Sequence, residues 1–129
     1  MSVLLKIIKA EKENTVKKEA VWVFGNALSC GSNPQIEYLY SLNILPLFCK
    51  LINSNDPEIV QISLDSINSI LKYASNVNRT DIEAQLTSDF ETLKQIERLT
   101  KSPNKSVFVK AETIIRILKK VEVQGLKEQ

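Results

Sequence analysis

The chain has 129 residues, of which 43% are hydrophobic and 25% are charged, and its formal net charge is +2. This composition excludes a disordered chain and indicates one folded domain or part of one. Because the charges are nearly balanced, we expect neither nucleic acid nor a membrane surface as a partner. The sequence contains 3 glycines and 4 prolines, too few for the many turns of an all-β protein, which favours helices.

The reactive residue types also limit the possible chemistry. Histidine is absent from the sequence, and the two cysteines, Cys30 and Cys49, do not form a CxxC pair. The usual zinc and haem ligands and the usual base for a cysteine or serine nucleophile are therefore missing. We expect no enzyme activity, no metal and no cofactor. The apolar run after Met1 is too short for a signal peptide or a membrane span, which predicts an intracellular protein with reduced thiols.

Apolar residues recur at helical spacing along most of the chain and predict a series of helices. These predicted helices are Ser2–Ala10, Thr15–Ser29, Pro34–Leu42, Leu45–Asn53, Pro57–Ala74, Asp81–Thr87, Phe90–Leu99 and Ser102–Val121. Gly31 and Pro34 mark the break after the second helix. Asp56 is placed to cap the longest uninterrupted pattern, with Pro57 at the first helical position. We expect residues 123–129 to form a frayed tail.

The three long predicted helices share one register of apolar residues, apart from Lys17 and Lys110. Phe24, Ile67 and Ile114, for example, occupy equivalent positions. The offsets between the helices are about 43 and about 47 residues, and each period contains a short, a medium and a long helix. This period is typical of armadillo repeats, in which neighbouring units bury each other's apolar faces.

We therefore predict an all-α fold, an armadillo-repeat right-handed superhelix (α-solenoid) of about two and a half to three repeats. Residues 1–31 would form a partial repeat, residues 32–75 a full repeat, residues 76–122 the terminal repeat and residues 123–129 a tail. Because the first repeat is incomplete, we expect the chain to be the C-terminal piece of a longer superhelix. Its N-terminal face carries Val3, Leu4 and Ile7 in place of a polar cap, which favours self-association or a covering partner.

Trp22 lies opposite the apolar side of its predicted helix, together with Glu19 and Asn26. The long helices of such a stack line its concave side, where Asp65 and Ser69 of the next unit take the Trp22 and Asn26 positions. An Asn side chain can bond the backbone of an extended peptide, and a Trp ring provides a flat wall for a Lys or Arg stem. We therefore predict that these five residues bind a peptide. The structural alternative is that Trp22 packs against a neighbouring helix.

The segment Lys18–Trp22 together with Asn26 resembles the E-x-x-W-x-x-x-N array of importin-α, the family of adaptors that carry basic nuclear localisation signals. Segments similar to those that follow the last such array are Ile36–Leu39, Ile44–Leu47 and Leu64–Ile67. The resemblance spans roughly residues 3–118. One departure is Gly25, where the family often has Ser or Thr, and we expect it to loosen the helix by about 1 kcal/mol.

This resemblance implies the C-terminal end of a nuclear import adaptor. It implies the last unit of the minor cargo site for nuclear localisation signal peptides, followed by a docking end for the export receptor with its small GTPase and for a nucleoporin. Importin-β would be a partner of the full-length protein. The resemblance also implies shuttling between cytoplasm and nucleus.

The main alternative is an armadillo or HEAT scaffold that joins proteins without binding basic peptides. A third class, a helical repeat that binds single-stranded RNA, would need basic side chains along the concave helices. Asp65 and Glu112 stand at those positions instead. The sequence therefore favours a protein-binding role over an RNA-binding one.

Overall fold

The computed structural model describes the backbone of residues 14–127 and the side chains of residues 17–119. Within this range the chain forms seven α-helices and no strand. They are α1 (Asn14–Cys30), α2 (Asn33–Ser41), α3 (Ile44–Leu51), α4 (Pro57–Asn76), α5 (Thr80–Thr87), α6 (Phe90–Leu99) and α7 (Lys105–Lys127). The all-α prediction is confirmed. The predicted helix Ser2–Ala10 and the apolar N-terminal face lie outside the described residues.

Side-chain caps explain where several helices begin. Asp56 Oδ1 accepts a hydrogen bond of 2.9 Å from the backbone N–H of Glu58, and Pro57 is the first residue of α4. At α6, the Asp89 carboxylate accepts from the backbone N–H of Thr92 at 3.2 Å and from its hydroxyl at 2.6 Å. Both caps satisfy N–H groups that have no partner within their own helix.

The last helix differs from its predicted boundaries at both ends. It begins at Lys105 rather than at Ser102, because Asn104 provides the cap: its Oδ1 accepts from the backbone N–H of Ser106 at 3.1 Å and of Val107 at 3.3 Å. It continues to Lys127, so residues 123–127 are helical where a frayed tail was expected. This segment combines the good helix formers Gln124, Leu126 and Lys127 with Val123 and Gly125, which are poorer ones, so helix propensity alone does not account for the extension.

The three long helices stack in chain order. Helix α4 packs between α1 and α7, while α2 and α3 pack against α4 and α6 packs against α7. Phe24, Ile67 and Ile114, which share one register position in the sequence, are all completely buried. Each long helix therefore buries the same face against its neighbour, as expected for repeats that share a continuous core.

Gly25 allows α1 to approach α4 closely. A Cβ atom at this position would stand 2.8 Å from Ile62 Cγ2 and 3.5 Å from Ser66 Oγ. The sequence indicates only the low helix propensity of glycine at this point. The structure shows that glycine also provides the space for the Ile62 methyl group, which offsets this cost by better packing.

A polar cluster joins α2 to the connection between α4 and α5. The Glu37 carboxylate accepts hydrogen bonds from the Tyr73 hydroxyl and the Arg79 guanidinium. Arg79 also donates two hydrogen bonds, of 2.8 and 2.9 Å, to Asp81. The Tyr73 hydrogen bond, followed by that of Arg79, lowers the pKa of Glu37, and Arg79 lowers the pKa of Asp81. The cluster is therefore stabilising only while its carboxylates are charged.

Gly25→Ala is expected to destabilise the fold, although alanine favours a helix by about 1 kcal/mol relative to glycine. The Ile62 methyl belongs to a β-branched side chain, which has little rotational freedom within a helix. Overpacking of this kind costs about 1–3 kcal/mol, so the free energy of unfolding in urea should fall by about 1 kcal/mol. In an Ile62→Leu background, which lacks that methyl, the same substitution should be neutral or stabilising. A stabilising effect in the wild-type background would contradict the close contact.

Glu37→Gln is expected to reduce the acid sensitivity of the fold. The pKa of Glu37 is lowered from its ordinary value of 4.5, so its stabilising contribution is present above that value and is lost as the pH falls through the folded-state pKa. The wild-type thermal midpoint should therefore decrease more steeply below about pH 4.5 than that of the variant. Glu97→Gln, at an exposed position outside the described salt bridges, should keep the wild-type slope. Equal slopes for all three proteins would exclude this role of Glu37.

Candidate functional site

A groove of about 260 Å³ lies between α1 and α4. Its lining comes from both helices and comprises Trp22, Gly25, Asn26, Ser29, Ile62, Asp65, Asn68, Ser69 and Lys72. The structure thus brings together Trp22, Asn26, Asp65 and Ser69, four of the five residues that the sequence singled out. The fifth, Glu19, is exposed on α1, one turn before Trp22, and is not part of the lining.

The lining follows the repeat register of the sequence. Trp22 of α1 corresponds to Asp65 of α4, and Asn26 corresponds to Ser69, each 43 positions later. The same offset relates Ser29 to Lys72. The groove therefore has two ends of different chemistry, an indole and a carboxylate at one end and a hydroxyl and an ammonium group at the other.

Core packing directs Trp22 to the surface. Its neighbours Val21 and Phe24 are completely buried, and they set the rotation of α1 about its axis. Because successive helical residues are about 100° apart, the indole of Trp22 points away from this core and is 48% exposed. The side chain is thus accessible at the groove and is not enclosed between helices.

The groove contains one buried hydrogen-bonding atom that the described residues do not satisfy. Asn68 Oδ1 is buried and has no hydrogen-bond partner within the described part of the chain. A buried polar group without a partner typically costs about 1–3 kcal/mol, so it calls for an explanation. Asn68 occupies the register position of Gly25, which has no side chain, so the repeat pattern of the sequence does not indicate a functional group at this position.

The charges of the groove differ from the expectation at Asp65. We expected this carboxylate to be available to a cationic guest, but its Oδ2 lies 2.7 Å from the Lys110 ammonium of α7. Lys72 adds a positive charge to the lining, and the structure shows no salt bridge to it from the described residues. Glu112 and Arg116, which continue the register on α7, are exposed.

Comparisons with known proteins agree with this architecture. An armadillo/β-catenin-like repeat family model matches residues 32–71, which comprise α2, α3 and most of α4. A designed armadillo repeat protein superposes with a TM-score of 0.75 at 24% identity, over 91% of this chain and 46% of its own. This chain is an armadillo-repeat protein.

Importin-α subunits are homologues of this armadillo-repeat protein. Importin subunit alpha-5 of Arabidopsis thaliana is 32% identical over 116 residues, which is 88% of this chain and 22% of the relative. Importin subunit alpha-3 of Caenorhabditis elegans is 34% identical over 88 residues, which is 66% of this chain and 16% of the relative. The armadillo-repeat protein thus spans about a fifth of the length of these relatives.

A larger cavity of the armadillo-repeat protein, of about 520 Å³, lies between α3 and α6 and includes Cys49. Burial raises the pKa of this thiol to about 11, so it remains protonated and weakly nucleophilic at neutral pH. Cys30 is exposed on α1.

Within residues 14–127, no group of three or more His, Cys, Asp or Glu residues is placed to hold a metal. None of the described helices combines the length and the apolar character needed to cross a bilayer.

Asn68→Ala is expected to raise the free energy of unfolding by about 1 kcal/mol, because it removes a buried oxygen that lacks a partner. The matched control is Asn26→Ala, which makes the same change at an exposed position of α1 and gains only helix propensity, about 0.5 kcal/mol. Urea denaturation of both variants measures the difference. A clear loss of stability specific to Asn68→Ala would indicate that its side chain is satisfied in the folded protein.

Proposed function

We propose that this armadillo-repeat protein is a non-enzymatic, importin-α-like module that binds extended basic peptides of the nuclear localisation signal type in the groove between α1 and α4. The observation that carries this proposal is the half-exposed indole of Trp22, which lines one groove together with Asn26, Asp65 and Ser69. An exposed aromatic ring beside amide and carboxylate groups is suited to a guest that has both an apolar stem and a polar end.

Trp22 and Asn26 would divide the recognition of the guest. The methylene stem of a Lys or Arg residue lies along the indole, with a cation–π contribution of about 0.5–2 kcal/mol. The Asn26 side chain, which makes no hydrogen bond to another described residue, bonds the N–H and C=O of the peptide backbone. Glu19 lies one turn away and attracts the cationic heads from outside the groove.

The second amide of the groove extends this backbone recognition. The Asn68 side chain is placed one turn from Asp65 on α4. If the Asn68 carboxamide rotates toward the groove, its oxygen, which lacks a partner, comes within hydrogen-bonding distance of a peptide N–H. Ser69, across from Asn26, supplies a hydroxyl that both donates and accepts.

The importin-α homologues support a role in nuclear import. In this proposal the groove is the last unit of the minor cargo site, and the later repeats offer a docking end for the export receptor with its small GTPase and for a nucleoporin. Importin-β would bind a longer protein of which these repeats are part, and that protein would shuttle between cytoplasm and nucleus. A single groove of this kind binds weakly, so high affinity requires neighbouring units.

The second candidate function is a scaffold that joins proteins without binding basic peptides. It is favoured by the charges of the groove, since Asp65 is paired with Lys110 and Lys72 adds a positive charge. A groove with these charges could hold a neutral segment through Trp22 and Asn26. The two candidates therefore differ in whether a positive charge on the guest improves binding.

Trp22→Ala combined with Asn26→Ala is expected to weaken the binding of a Lys/Arg-rich peptide about 5- to 150-fold, which corresponds to roughly 1–3 kcal/mol. Isothermal titration calorimetry measures the effect, with circular dichroism to confirm folding. Phe90→Ala, which removes an exposed aromatic ring outside the groove, is the matched control and should not change the affinity. Because the chain has 1 tryptophan, a shift of the wild-type emission on peptide addition reports the same contact.

Unchanged affinity in the folded double variant would reject the groove as the binding site. A matched peptide without positive charges separates the two candidates. If the wild-type protein binds it as strongly as the basic peptide, the scaffold is the better description.

A further inference from the structure

Lys110 contacts the groove from the side opposite Trp22. It belongs to α7, which packs on the other side of α4 from α1. Its ammonium group lies 2.7 Å from Asp65 Oδ2. The carboxylate that corresponds to Trp22 in the next repeat is therefore already paired with a lysine of the same chain.

The Lys110 side chain has the same chemistry as a lysine of a basic guest peptide. We infer that Lys110 is a specificity-determining residue that competes with the guest for Asp65, so that a peptide lysine gains the Oδ2 contact only by displacing it. This inference rests on the proposed peptide-binding function of the groove. It adds that a lysine of the chain itself competes with the peptide for the Asp65 carboxylate.

The exposure of the pair makes this exchange possible. The side chains of Lys110 and Asp65 are 30% and 56% exposed, respectively, and ion pairs that are this accessible to water are weak. Replacement of one ammonium group by another at Asp65 is therefore close to neutral in energy. The guest gains little from a contact that the chain already makes.

Lys72 strengthens the same effect at the other end of the groove. With Asp65 neutralised by Lys110, the charge that remains among the lining residues is the ammonium group of Lys72. The wild-type groove thus selects weakly for cationic side chains and depends mainly on Trp22 and Asn26. The position of Lys110, outside the lining itself, sets this selectivity.

Lys110→Met tests the competition because methionine keeps an unbranched apolar stem and removes only the charge. The control is Lys119→Met, which makes the same change in net charge at an exposed site of α7, about 13.5 Å away along the axis and on the opposite side of the helix. The full 129-residue chain is titrated with a capped lysine-rich peptide and with the same peptide carrying norleucine in place of lysine.

Lys110→Met should bind the lysine-rich peptide about three- to fivefold more tightly than the wild type. This gain in affinity corresponds to the small free energy of an exposed ion pair. Lys119→Met and the norleucine peptide should show no such gain. In the Lys110→Met background, the further substitution Asp65→Asn should abolish the gain, because the competition acts through this carboxylate. The gain should also diminish in about 1 M salt, where charges are screened beyond about 3 Å.

Several outcomes would overturn the inference. If the wild type binds the peptide through Trp22 and Lys110→Met brings no gain, the competition is wrong while the proposed function stands. Equal gains in Lys110→Met and Lys119→Met would assign the effect to net charge alone and also reject the competition. If neither the wild type nor Lys110→Met binds the peptide, both the inference and the proposed function are wrong.

Discussion

The close contact between Gly25 of α1 and Ile62 of α4 is the constraint on which the groove depends. A side chain at Gly25 would overlap with the Ile62 methyl group, so the spacing of the two helices is possible only because the glycine has none. This spacing sets how far Trp22 stands from Asp65. The buried residues Val21 and Phe24 prevent rotation of α1, and together these contacts present the indole to the groove without enclosing it.

The charge of the groove is decided by a third helix. Asp65 is acidic in the sequence, but Lys110 of α7 neutralises it, and Lys72 on α4 faces the groove without a described counter-ion. In a stack of repeats, a carboxylate on one long helix lies within reach of lysine side chains on the next. The charge of this groove therefore depends on a lysine of the following long helix as well as on the lining residues of α1 and α4.

The similarity to importin-α subunits and the geometry of the groove bear on different questions. The homology covers 88% of the chain but 22% of the relative. It establishes an evolutionary relationship, but by itself it does not assign the function of a much longer protein to this chain. The groove is an observation about this chain alone, with an exposed Trp22 and an Asn68 oxygen that lacks a partner. Both support the proposed peptide binding, and in that proposal the charges at Asp65 decide how basic the guest must be.

The sequence by itself predicted the series of helices, the repeat register and the placement of Trp22 opposite the apolar side of its helix, because periodicity and capping act between residues a few positions apart. Helix Phe90–Leu99 was predicted at both ends for this reason. The sequence left open whether Trp22 packs against a neighbouring helix, and the structure decided this by showing the side chain 48% exposed. Only the tertiary structure revealed the packing role of Gly25, the buried oxygen of Asn68 and the pairing of Asp65 with Lys110. These depend on distances between helices that lie about 45 residues apart in the chain, and local patterns carry no information about such distances.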